Sequence, residues 1–132
     1  MPIVYEIDAD RRLLLATFSG AVSPGELIDW YGELRAHPHF SPHMKEIADF
    51  TLTENPGWST DDMKTVVSRE VFGPGAHRAF VGPTDLVYGL SRMYASFAET
   101  EGQGGTIEVF RTVEEAQLWI DGLPSDGLPT DE

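Results

Sequence analysis

Cysteine is absent from this chain of 132 residues. That excludes disulfides, thiolate metal sites and a cysteine nucleophile, and it fits a reducing compartment. Bases are scarce: 9 Lys and Arg stand against 22 Asp and Glu, for a formal net charge of -13. A surface of that sign repels phosphate backbones and anionic headgroups, so neither nucleic-acid binding nor electrostatic membrane docking is expected. No apolar run approaches the roughly 20 residues of a membrane span. The N-terminus lacks a basic-then-apolar signal pattern, and a soluble cytoplasmic protein is expected. Also missing are a Gly-x-Ser-x-Gly elbow, a Walker loop, a dinucleotide fingerprint and a His-Glu-x-x-His motif. Gly102–Gly105 precedes an apolar strand-like run, not a helix, which is the wrong context for cradling phosphate. No enzyme and no cofactor are expected.

What is present reads as one globular domain, with 41% hydrophobic and 23% charged residues. Ile3–Ile7 and Leu13–Phe18 are short apolar runs joined by the polar Asp8–Arg12, the pattern of a β-hairpin. Ser23-Pro24-Gly25-Glu26 starts a helix by a capping box, and Leu27, Trp30, Tyr31 and Leu34 continue it until Pro38. Ile47–Phe50 is a third strand. Ser59–Asp62 repeats the capping logic, and Met63, Val66, Val67, Glu70 and Val71 carry a second helix to Gly73-Pro74-Gly75. Arg78–Gly82 is a fourth strand. Asp85 opens a third helix with the stripe Leu86, Leu90, Met93 and Phe97. Thr106–Phe110 is the last strand, and Thr112–Glu115 caps a helix bearing Ala116, Leu118, Trp119 and Ile120.

The order β-β-α-β-α-β-α-β-α predicts an α/β fold, with a mixed, mostly parallel sheet of about five strands flanked by about four helices. Residues 1–123 form the domain. Residues 124–132, rich in Pro, Gly and acid, are expected to be a flexible acidic tail.

Several residues carry the resemblance to a known bacterial family. They include Tyr5-Glu6-Ile7-Asp8, Gly20, His37-Pro38-His39-Phe40, Ile47-Ala48-Asp49-Phe50 and Arg78-Ala79-Phe80-Val81. Tyr88–Tyr94 and Val109-Phe110-Arg111, followed by Ala116, Trp119 and Ile120, complete the ordered set. From Tyr5 to Leu123 the chain resembles the SpoIIAA-like proteins, single-domain relatives of the STAS fold that share architecture with CRAL-TRIO lipid-carrier domains. The resemblance implies a small non-catalytic domain that binds apolar ligands or sits near membranes. STAS antagonists carry a phosphorylated serine at the start of the second helix. The matching place holds Ser59 and Thr60, but Leu52–Trp58 replaces the short turn of that family.

The candidate site residues each have a plainer reading beside the functional one. Ser59 is a phosphoacceptor at a helix N-terminus or an ordinary N-cap. Asp61 and Asp62 beside it would repel an added phosphate. His37, His39 and His43, with His77 or Asp49, supply metal-ligand chemistry, but no spacing aims them at one point, so no metal site is expected. Asp49 lies where α/β sheets gather ligands. Arg92 and Arg78 are notable among so few bases, either as partners for a carboxylate headgroup or as structural ion pairs.

An apolar pocket between the sheet and the second and third helices is expected to be lined by Trp58, Met63, Val67, Leu90, Met93 and Tyr94. Arg92 or Asp49 would orient a polar end. The leading expectation is a carrier or sensor of a small apolar or amphipathic ligand. The alternative is an interaction module with a basic protein partner, regulated near Ser59. A transient non-electrostatic membrane contact and a homodimer are left open.

Overall fold

The computed structural model describes residues 2–55, 57–101 and 105–123. The expected tail at 124–132, and Gly102, Gln103 and Gly104, lie outside the described residues. The elements run β1 (Ile3–Asp8), β2 (Leu13–Gly20), α1 (Pro24–Ala36), β3 (Lys45–Thr53), α2 (Thr60–Ser68), β4 (His77–Val81), α3 (Asp85–Glu101), β5 (Thr106–Phe110) and α4 (Val113–Asp121). This is an α/β fold, as the alternation of strand and helix patterns predicts.

The five strands lie in the order β1-β2-β3-β4-β5. Only β1 is antiparallel to its neighbour, because a hairpin reverses the chain, whereas every later strand returns through a helix and pairs parallel. Arg12 closes the hairpin with a φ of 52°. The parallel register aligns Ala16, Ala48 and Phe80 across the middle of the sheet, and Glu46 with Arg78 two residues to the N-terminal side. A register shift between Thr17 and Ser19 lets β2 end at Gly20, whose φ of 67° suits a residue without Cβ.

Period-2 alternation separates two layers. Leu14, Ala16, Phe18, Ala48 and Phe80 face one way and pack beneath α1, α2 and α3. Leu13, Ile47, Ala79 and Val81 face the other way and pack on Ala116 and Ile120 of α4.

Local chemistry fixes the helix ends. Ser23, Ser59 and Thr112 each cap a helix and donate their own amides in return to the carboxylates of Glu26, Asp62 and Glu115. Pro38 forces His37 into an extended conformation, and α1 stops there. The second helix ends earlier than its apolar pattern predicts, at Ser68 instead of Val71. Beyond Ser68, Val71 and Phe72 turn into the core, and the Glu70 carboxylate reaches Arg78 at 2.8 Å. Those contacts replace the last helical turn. Gly82 joins β4 to α3 where a Cβ would lie 2.9 Å from the Tyr88 nitrogen, so α3 packs against bare backbone there.

Candidate functional site

A cavity of about 110 Å³ lies between the sheet and helices α1, α2 and α3. Phe18, Ala48, Phe50 and Phe80 form its sheet side. The small Ala48 sits between Glu46 and Phe50 on the same strand face and leaves space that a larger residue would fill. Leu27, Trp30 and Tyr31 of α1, Met63 of α2, and Leu90, Ser91 and Tyr94 of α3 complete the walls. Gly20, Thr53 and Glu54 mark the end of the cavity nearest the C-termini of β2 and β3. Trp58 holds the loop there by donating its indole N–H to the Val22 carbonyl at 2.9 Å. The walls are almost entirely carbon.

The opposite end of the cavity is ionic. Arg78 donates from Nε to Glu46 and from Nη1 to Glu70, both at 2.8 Å. All three side chains are buried: Arg78 is 5% exposed, Glu46 1% and Glu70 3%. Phe72 lies 4.1 Å from the guanidinium carbon and Phe80 5.1 Å, measured to ring centroids. The Tyr94 hydroxyl donates to the same Glu70 oxygen, and the Tyr31 and Tyr94 hydroxyls lie 3.0 Å apart. This cluster fastens β3, β4, α1, α3 and the segment after α2 to one another.

The ionisation of these groups follows from burial and neighbours. Burial works against the Arg78 cation, but Glu70 and Glu46 outweigh it, so its pKa stands well above the ordinary value. Burial lifts the Glu46 pKa, and Arg78 offsets only part of that rise. Burial, reinforced by the Glu70 charge, raises Tyr31. Burial with Tyr31 and Glu70 raises Tyr94 well above its usual value. Both hydroxyls therefore remain protonated hydrogen-bonding groups at neutral pH.

Of the residues expected from sequence, the cavity brings together Trp58, Met63, Leu90 and Tyr94. Val67 is buried in the core but lies outside the lining, one helical turn beyond Met63. Met93 is 44% exposed and lies outside it too. On α3 the face turned to the cavity is Val87, Leu90, Ser91 and Tyr94, so the apolar stripe through Leu86 and Met93 misplaces that face. Ser91, small and 6% exposed, hides the true face from a hydrophobicity pattern.

Asp49 points to the opposite side of the sheet from Ala48 and Phe50, and its carboxylate accepts from the Thr51 amide at 2.9 Å. Arg92 lies in a second, wider polar cleft of about 510 Å³, with Tyr88, Glu99 and Glu108, on the far side of Glu70 and Arg78, and Arg78 lines both spaces. Neither residue lines the apolar cavity. Ser59 is an exposed N-cap that accepts from the Asp62 amide at 3.0 Å. His37 accepts from the His39 amide, while His43 bonds the Pro74 carbonyl. Among the described residues no three His, Asp or Glu converge as a metal site.

Sequence reasoning missed Glu46, Glu70 and Tyr31. The signal for Glu46 was its strand parity, since it shares a face with Ala48 and Phe50 and stands beside Arg78. Glu70 is carried by a non-helical segment whose position no periodicity reveals.

Among the described residues, no helix is long and apolar enough to cross a membrane. Comparison of the chain with protein-family models, curated proteins and solved structures finds no match.

Proposed function

We propose that this chain is a SpoIIAA-like domain of the STAS fold that binds a small, compact, carbon-surfaced molecule and does not transform it. The observation that carries this reading is the apolar cavity with a buried ionic cluster at one end and a tryptophan-anchored loop at the other. Ligand sites are typically mostly apolar hollows with a few placed polar groups. The cavity also reaches the carboxyl ends of β2 and β3, where open α/β sheets gather their ligands. The α/β order of elements and the mixed sheet are compatible with this reading.

The same residues favour binding over chemistry. Arg78 and the carboxylates beside it are engaged with one another, and the tyrosines are held protonated. Among the described residues, no serine, cysteine or histidine nucleophile paired with a base lines the cavity.

Methionine methyl resonances provide the test. Met63 lines the cavity, Met44 is buried elsewhere and Met93 is surface-exposed. Titration with toluene should shift the Met63 methyl signal saturably and leave Met44 and Met93 in place. A Met63 signal that stays fixed, or moves only in step with Met93, would contradict the reading.

A further inference from the structure

The electrostatics of the cavity narrow the ligand further. Its aromatic lining is dense: Phe18, Phe50 and Phe80 come from the sheet, Trp30, Tyr31 and Tyr94 from helices, and Trp58 from the loop. The charged residues on the lining are Glu46, Glu54 and Arg78. Arg78 is already bonded to Glu46 and to Glu70 behind it, so one buried cation faces two buried carboxylates, while the exposed Glu54 stands at the other end of the cavity.

Each ligand class meets this lining differently. A carboxylate would meet carboxylates and an arginine whose Nε and Nη1 are in use. A neutral molecule would gain burial without any attraction between charges. A cation would gain the negative faces of aromatic rings and the surplus acid. A primary ammonium has three N–H donors, and the mostly carbon walls offer them few acceptors apart from the carboxylates at the two ends. A quaternary ammonium has no donor to lose and presents only methyl and methylene groups. At about 110 Å³ the space is somewhat smaller than the ~150 Å³ engineered cavity that holds benzene, which restricts the buried part to a compact head. The overall charge of -13 favours cation encounter.

We infer that the cavity takes a compact organic cation of the quaternary-ammonium class, held by its aromatic walls and the net acidity of its polar end. The inference rests on the binding reading above and adds the sign of the ligand's charge.

Three isosteric probes test it on the intact chain, read at the Met63 methyl signal under matched ionic strength. Choline carries the cation. Dimethylbutanol, in which carbon replaces the choline nitrogen, is its neutral counterpart, and dimethylbutanoate is the anion of the same shape. Choline should bind about fivefold or more tightly than the alcohol, and the carboxylate should bind weakest. Added salt should weaken choline and leave the alcohol unchanged. If the alcohol or the carboxylate binds as tightly as choline, the charge assignment is overturned while the apolar-ligand reading stands. If toluene moves Met63 and none of the three does, the quaternary-ammonium class is overturned. If toluene also leaves Met63 unmoved, the binding reading itself fails.

Discussion

The Arg78 Nε lies 2.8 Å from Glu46 Oε1, two residue pairs below the alanine that makes room for the cavity. The pair joins adjacent strands, and Glu70 closes it from the helical side. A buried ion cluster adds little net stability over an apolar replacement, but losing one partner strands the others. Arg78→Met should therefore cost about 3–5 kcal/mol, measured by urea unfolding. Adding Glu46→Gln and Glu70→Gln to the same chain should recover part of that loss, because the stranded charges are removed. A loss under about 1 kcal/mol for Arg78→Met alone would show that the carboxylates find other partners.

The buried tyrosines set the alkaline limit of the fold. Tyr31 and Tyr94 have folded pKa values raised above the ordinary 10.0. Their contribution is complete below that value and is lost as pH climbs from it toward the raised folded values, because the unfolded chain releases its protons first. Unfolding free energy should fall as pH rises past 10, and tyrosinate absorbance from these two groups should appear only with unfolding. Tyr31→Phe should flatten that slope. Smooth ionisation of all tyrosines in the folded protein would contradict the arrangement.

Ser59 tests how much α2 depends on its cap. Its side chain accepts from the Asp62 amide, while its own amide donates to the Asp62 carboxylate at 2.9 Å. Ser59→Ala should lower stability by about 1 kcal/mol. The same change should leave toluene affinity within about twofold, since Ser59 lies outside the cavity lining. A large affinity change with intact stability would give Ser59 a part in ligand access.

Ala48→Val tests the origin of the cavity. Two added methyl groups would occupy the space above the centre of the sheet, on a strand that suits a β-branched residue. Toluene and choline binding should disappear, and stability should hold or rise by about 0.5–2 kcal/mol as a filled cavity does. Retained binding would place the ligand elsewhere.

The architecture was readable because its signals are local. Capping boxes at Ser23, Ser59 and Thr112, the proline stop at Pro38 and the alternating strands each act within a few residues. The cavity was half readable. Trp58, Met63, Leu90 and Tyr94 are bulky residues on elements that must pack together, so their convergence follows from the layer order. Asp49 was misplaced because chemical type was weighed above parity, although Ala48 and Phe50 facing inward turn Asp49 outward. Met93 was misplaced because Ser91 interrupts the inner face of α3. Glu70 was beyond reach, because only the tertiary pull of Arg78 and the burial of Val71 and Phe72 explain why the helix ends before it.

The central claim is that a ligand-sized apolar space exists beneath α2 and α3. Xenon is its most direct probe, since it enters dry apolar cavities and makes no specific polar contacts. A crystal of the protein pressurised with xenon should show an atom among Met63, Phe80 and Leu90, absent from Ala48→Val crystals treated in the same way. A wild-type crystal without xenon in that space would contradict the account.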